Sequence, residues 1–289
     1  MKFLKGFYYL CSLCNKKKRS MKRYLTAFLC ISLFISSISA YAWGPTGHDV
    51  TASIAEQHLT RKARRALNKL LEGKSIIYYS SWMDNIQNSP NWKGGYDKTK
   101  TWHYANVDQG HTYQTMPKLE EGDVVAALTQ LTYELKHNYD NLSDSIKVDY
   151  IKMIVHMVGD LHCPMHAGRK TDRGGNGKKV KWFGQPTNLH SIWDSKIVDS
   201  SRRWSYSEWT ENLDRTSRRY RKSIMKGSYE EWFAETVEGA ASIYNYVENL
   251  KDETPNLSYQ FVYDFSPLLE DRLLTGGYRL ACVLNYIFD

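Results

Sequence analysis

The sequence is poor in cysteine, and three of its five cysteines lie within the first 30 residues. Only Cys163 and Cys282 remain beyond residue 42, too few for a disulfide scaffold. In an oxidising compartment they either pair or stay as two buried thiols. The lone C-x-x-C at Cys11 and Cys14 carries no weight. No glycine-rich phosphate loop or dinucleotide fingerprint occurs, which argues against chemistry built on a diffusible cofactor. No internal repeat, low-complexity tract or linker divides the chain. The apolar stretch from Leu25 to Ile38, about 14 residues, is too short to span a bilayer comfortably.

An overall basic surface is missing too. The chain has 39 lysines and arginines against 31 acidic residues, but eight of the basic ones fall in the first 42 residues, where no acid occurs. Without them, 31 basic side chains face 31 acidic ones. Net charge therefore offers no footprint for nucleic-acid binding.

Those 42 residues read as a targeting leader. Lys22 and Arg23 precede the apolar stretch, Met21 offers a second start, and Ala40-Tyr41-Ala42 matches an A-x-A signal-peptidase site. Cleavage after Ala42 is expected, giving a secreted or periplasmic protein with no membrane span after processing. It would free an α-amino group on Trp43, which opens the run WGPTGH with His48 five residues behind. A neutral amine and an imidazole both suit zinc.

Residues 43–289 are enough for one domain with a substantial core. Apolar residues recur at helical spacing over 59–73, 124–137, 143–158, 229–250 and 265–288. Residues 174–184, GGNGKKVKWFG, read instead as a small β-hairpin or structured loop. The expected fold is all-α, a single mainly helical domain.

Metal-ligand spacing is what the chain has in quantity. His156 and Asp160 are four apart, so on a helix they face the same way one turn apart, and His190 and Asp194 repeat the spacing. Such a pair lets one rigid face grip one ion. His166 follows beyond Pro164, and Asp84 in SSWMD and His103 in TWHYAN complete the set with Trp43 and His48. Cys163 is a further conceivable ligand, less well spaced than these. His162, six residues after His156, points roughly 120° away on a straight helix. With His58, His111 and His137 it is read as structural or solvent-facing. Trp193 and Trp82 are expected to buttress the neighbouring ligands.

In order, the motifs WGPTGH, SWMD, WHYAN, HMVGDLHCPMH, GGN and NLHSIWD resemble the class I nucleases of the S-one/P-one type. These are zinc-dependent, single-strand-preferring nucleases and 3′-nucleotidases; zinc-dependent phospholipases C are more distant relatives with the same helical fold. The resemblance covers Trp43 to about Asp194. It implies three zinc ions. Asp84, His103, His156 and Asp160 would hold one. The amine and carbonyl of Trp43 with His48 would hold a second, sharing Asp160 as a bridge, and His166, His190 and Asp194 a third. Two bridged zincs would activate water for attack on phosphorus while the third receives the departing 3′-oxygen. Asp160 and Asp84 are the carboxylates assigned to catalysis.

The same resemblance bears on substrate. Tyr104 occupies the place of a base-stacking aromatic, and ordinary packing is the alternative. Gln87 and Asn106 depart from the family pattern, which has an arginine and a carboxylate there, so they are the remaining substrate-binding candidates. Residues 167–189 carry Arg169, Lys170, Arg173, Lys178, Lys179 and Lys181 against Asp172 alone. That segment either steers phosphates or is a solvated loop. The expected activity is hydrolysis of single-stranded RNA and DNA to 5′-nucleotides, with 3′-nucleotides also as substrates, by a monomer needing no stable protein partner. The alternatives are a phospholipase C acting on lipid head groups and a zinc-bearing binding protein without catalysis.

Overall fold

A computed structural model describes residues 43–86, 89 and 99–289; the expected leader and Gln87 lie outside them. Eleven helices among the described residues build the domain. They are α1 (Pro45–Gln57), α2 (Arg61–Leu70), α3 (Trp82–Ile86), α4 (Val124–His137), α5 (Asp144–His162), α6 (Leu189–Ser191), α7 (Ile197–Ser201), α8 (Tyr206–Leu213), α9 (Arg218–Ile224), α10 (Tyr229–Asn249) and α11 (Tyr259–Phe288).

Helix α5 is the axis of the core. It starts at Ser143, whose side chain accepts from the Ile146 N–H, and from Ile151 to its end only Lys152 is not buried. A helix apolar on every face must be covered on every face. α1, α3, α4, α10 and α11 pack around it. α1 is less apolar, yet eight of its thirteen residues are buried. Its partly exposed Thr46, Asp49 and Glu56 mark one polar face, but Gly47, His48, Thr51 and Ser53 are buried as well, which blurs the amphipathic period, and its start is marked only by Pro45 at the first helical position.

The helical segments read from the sequence all occur, 124–137 with its expected bounds and the others with shifted ends. α5 runs four residues past 158, carrying both His156 and Asp160 on regular helix before Pro164 forces Cys163 into an extended conformation. α11 begins six residues before 265 and passes through Pro267. The missing proline N–H strands the carbonyl of Tyr263, but Tyr263 is largely exposed, so water can serve it.

Among the described residues, one sheet has three strands in the order β2-β1-β3: β1 (Lys179–Trp182), β2 (Gln185–Asn188) and β3 (Asn256–Leu257). β1 and β2 form a hairpin whose two loop residues, Phe183 and Gly184, both have positive φ, the type I′ geometry that matches strand twist. The hairpin therefore sits later than the expected 174–184, because residues 174–178 are a glycine turn and the second strand lies beyond 184. β3 pairs parallel with β1 and pins the entry to α11.

Cys163 and Cys282 are separate free thiols, so the unpaired alternative holds. Among the described residues, no helix is long and apolar enough to cross a membrane.

Candidate metal centre

Five elements gather around the carboxylate of Asp160, itself wholly buried in the last turn of α5. Its Oδ2 lies 3.0 Å from His103 Nδ1 and 3.2 Å from His156 Nε2. Its Oδ1 lies 3.3 Å from His48 Nε2 and 3.9 Å from His166 Nδ1. One carboxylate thus faces two sets of imidazoles with its two oxygens. Asp84, on α3, approaches His156 at 3.5 Å and His103 at 3.7 Å.

A second focus forms around Asp194. His190 Nε2 is 3.1 Å from its Oδ2 and His166 Nε2 is 3.5 Å from its Oδ1. The His190–Asp194 pair does not ride a regular α-helix. α6 lasts one turn, capped by Asn188 on the Ser191 N–H, then opens into a π turn over Ile192–Lys196 that leads to α7. Such turns are often found at functional sites.

The imidazoles are oriented from behind. His156 Nδ1 donates to the Ser80 carbonyl at 2.8 Å and His190 Nδ1 to the Gly174 carbonyl at 2.7 Å, while His166 Nδ1 donates to the His103 carbonyl. A carbonyl can only accept, so each bond fixes a proton on Nδ1 and turns Nε2 toward the carboxylates, where it can take either a proton or a metal. No sequence pattern reports these backbone acceptors.

Glycine makes the remaining room. A Cβ on Gly159 would stand 2.7 Å from His48 Nδ1, so the helix residue before Asp160 has to be glycine for His48 to approach. Gly174 has φ +64°, and a Cβ there would meet the Met165 carbonyl oxygen at 2.8 Å. This is why GGN precedes the His190 loop.

The N-terminal run is threaded into the same place. Trp43 is fully buried, and the Gly44 N–H donates to the Asp194 carbonyl. The buried polar atoms without a hydrogen-bond partner concentrate here, at His48 Nδ1 and Nε2, Asp160 Oδ1, His166 Nε2 and Asp194 Oδ2. Leaving so many donors and acceptors dry costs about 1–3 kcal/mol each unless another group satisfies them. Three compact donor triads result: His48, Asp84 and His156; His103, His156 and Asp160; Cys163, His166 and Asp194. A cation is the group that fits a donor set of imidazoles, carboxylates and one thiol.

A sequence profile settles the relationship. The family described as S1/P1 Nuclease matches residues 43–289. The chain belongs to the S1/P1 nuclease family. It is similar to Endonuclease 2 of Arabidopsis thaliana, 26% identical over 89% of this chain and 94% of the relative. Endonuclease 3 of the same plant is 27% identical over 93% and 96%, and Nuclease S1 of Aspergillus oryzae 24% over 86% and 92%. This S1/P1 nuclease is accordingly a hydrolase acting on phosphodiester bonds.

The electrostatics of the nuclease site suit cations. Burial opposes charge on every group, yet His156 and His166 lower the Asp160 carboxyl well below the ordinary range. His156 and His103 likewise overcome burial at Asp84. In return, against the pull of burial, Asp160 and Asp84 raise His156 far above 6.5, and Asp160 and Asp194 raise His166 to about 9. The cluster thus holds protons where a metal's charge would serve. His48 goes the other way, lowered first by burial and then by His156, on which it stacks at 4.0 Å.

The other singled-out residues fall around this centre. Tyr104 follows His103 in extended backbone, half-buried, its carbonyl accepting from Val124 N–H. Burial and then Glu121 raise its phenol, so it stays neutral. Asn106 turns its Oδ1 toward Gly174, behind the His190 loop. Trp193 is buried against Phe261 and Phe265, whereas Trp82 is only partly covered and lies beneath Lys152. His58 pairs with Asp214 at 2.7 Å, His162 binds Val158 and Arg279, and His111 and His137 are exposed. In the basic segment, Arg169 is engaged by Glu248, while Lys179 and Lys181 share the exposed face of β1.

Proposed function

We propose that this nuclease is secreted and hydrolyses single-stranded RNA and DNA to 5′-nucleotides, with 3′-nucleotidase activity, at a site holding three zinc ions. The observation that carries the reading is the two-sided position of Asp160, whose Oδ2 faces His103 and His156 and whose Oδ1 faces His48. That is the placement a bridging carboxylate needs. Asp84, His103 and His156 would hold one ion with Asp160, and His48 with the Trp43 amine and carbonyl a second. His166, His190 and Asp194 would hold the third. The close triads cut across this partition, since His48 sits with Asp84 and His156. Zinc bound there supplies Lewis acidity toward a phosphoryl group near neutral pH.

The protein's own part is to bind and orient. The Nδ1 bonds of His156, His166 and His190 hold three rings in one tautomer, and the buried shell around them excludes bulk water. Tyr104 offers a π-face beside His103 for a base, a contact worth roughly 1–3 kcal/mol and indifferent to sequence. The similar proteins named above are nucleases and endonucleases, which favours nucleic acid over phospholipid head groups. Processing after Ala42 is supported by a family match that begins at Trp43.

Product analysis by mass spectrometry tests this. Protein beginning at Trp43 is incubated with a single-stranded oligonucleotide, with and without chelator. Chelator-sensitive release of 5′-mononucleotides is expected; an intact oligonucleotide, from protein confirmed to hold its metal, overturns the substrate reading. One extra residue before Trp43 converts the amine to an amide and is expected to cut activity by about tenfold or more. Full activity of that form would remove Trp43 from the ligand set.

A further inference from the structure

Cys163 has no role in the site described so far, yet it stands among that site's donors. It is wholly buried and held extended between His162, the last residue of α5, and Pro164, so its direction is fixed by backbone rather than by a flexible stem. Its Sγ lies 3.8 Å from Asp194 Oδ1, the same oxygen that His166 Nε2 approaches at 3.5 Å. Asp194 Oδ2 meanwhile faces His190 Nε2 at 3.1 Å. The donor atoms of Cys163, His166 and Asp194 all lie within 4.8 Å of one another.

These separations suit one small ion. With Zn–S near 2.3 Å and Zn–N or Zn–O near 2.0–2.1 Å, neighbouring donors of a tetrahedral zinc stand roughly 3.3–3.6 Å apart. Two of the facing atoms, His166 Nε2 and Asp194 Oδ2, are buried without a hydrogen-bond partner. A thiol–carboxylate contact at this distance is a weak hydrogen bond and satisfies neither.

We propose that Cys163 is a fourth protein ligand, as thiolate, to the ion held by His166, His190 and Asp194. The inference rests on the metal reading above and adds a donor to it. On binding, the S–H bond gives way to a metal–sulfur bond and the proton leaves to solvent. Four protein donors would hold this ion tightly, and zinc can still expand to a fifth position for a substrate oxygen. This ion is then the most firmly retained of the set, and the weakest Lewis acid, because thiolate donates charge to it. The other ions keep only hard nitrogen and oxygen donors.

Cobalt substitution in the purified, host-processed protein tests this by spectroscopy rather than by activity. Wild-type protein loaded with Co²⁺ is expected to show a thiolate-to-cobalt charge-transfer band in the near ultraviolet. The band should persist in Cys282→Ala and vanish in Cys163→Ala and Cys163→Ser. Zinc X-ray absorption of the wild type should resolve sulfur at about 2.3 Å. During stepwise chelation, Cys163→Ser should release one ion per chain earlier than wild type, with an affinity loss of about tenfold or more. Circular dichroism confirms that each variant is folded. Metal-loaded wild type showing only nitrogen and oxygen donors overturns the proposal and leaves the metal centre standing. Wild type that binds no cobalt or zinc overturns both.

Discussion

His156 and His162 lie on the same helix, six residues apart, and both are completely buried. Their imidazoles are driven in opposite directions. Burial lowers both, but Asp160 and Asp84 more than reverse it at His156, raising that ring far above 6.5. At His162 the neighbours are Arg279 and Arg272, which add to burial and push the ring well below 6.5. His162 Nδ1 donates to the Val158 carbonyl at 2.7 Å, and its Nε2 accepts from Arg279 Nη1 at 3.1 Å. One side of α5 therefore faces a buried cluster of carboxylates and imidazoles that calls for cations. The other is a structural network in which Glu235 balances Arg272 and Arg279 at 3.1 Å and 2.6 Å. Residue type and burial are the same; the charge brought by other elements decides whether an imidazole is a ligand candidate or a brace.

Asp160→Asn should separate the two sides most sharply. Losing the charge that faces both imidazole sets is expected to lower hydrolysis by more than about 10³-fold and to remove metal from the protein, read by rate and by elemental analysis. Wild-type metal content in that variant would break the distinction. A smaller effect of opposite character follows from pH. In chelated protein, His166 has a folded-state value of about 9, above the ordinary 6.5. Its proton is held more tightly by the fold than by the unfolded chain. That stabilisation is complete below pH 6.5 and lost as pH rises through about 9, amounting to about 3 kcal/mol. Denaturant melts of metal-free protein across that range should show the decline, and added zinc should suppress it. A flat profile would mean that the carboxylates do not hold this proton.

On the other side of α5, Arg279→Leu should cost about 2–3 kcal/mol of folding stability, since it strips a buried guanidinium from Glu235 and from the face of Trp232. Metal content should be unchanged; its loss would show that the two sides are coupled. The mildest effect belongs to Glu235, whose carboxyl is pulled below 4.5 by Arg279 and then Arg272, against burial. A depressed carboxylate stabilises the fold above its unfolded value. That contribution disappears as pH falls from about 4.5, the reverse of the His166 direction. Because Glu235 is 42% exposed, screening limits it to roughly 1 kcal/mol or less. Comparing acid melts of Glu235→Gln and wild type reads it.

The site was more legible than the scaffold that holds it. His156 and Asp160 can be read from four-residue spacing because a helix repeats at that interval, and the helix does continue through both. The His190–Asp194 pair was found by the same spacing although a π turn intervenes, since the donors meet in either geometry. α1 escaped because Gly47, His48, Thr51 and Ser53 occupy buried positions where apolar residues would mark the period, so its amphipathic trace is faint. The hairpin was displaced because its turn is made by Phe183 and Gly184, whereas the earlier glycines serve close approach to the His190 loop. Cys163 was discounted on spacing, a poor guide for a residue whose direction is set by the proline after it.

By itself the sequence determined which donors exist and which pairs share a helix face, because helical period is local. Only the tertiary structure decided that Asp160 stands between two imidazole sets, and that Ser80, His103 and Gly174 lend the carbonyls that fix the rings. It decided as well that His162 answers to arginines while His156 answers to carboxylates. These are contacts between segments distant in sequence, and a backbone carbonyl or a neighbouring charge has no residue code until the chain has folded around it.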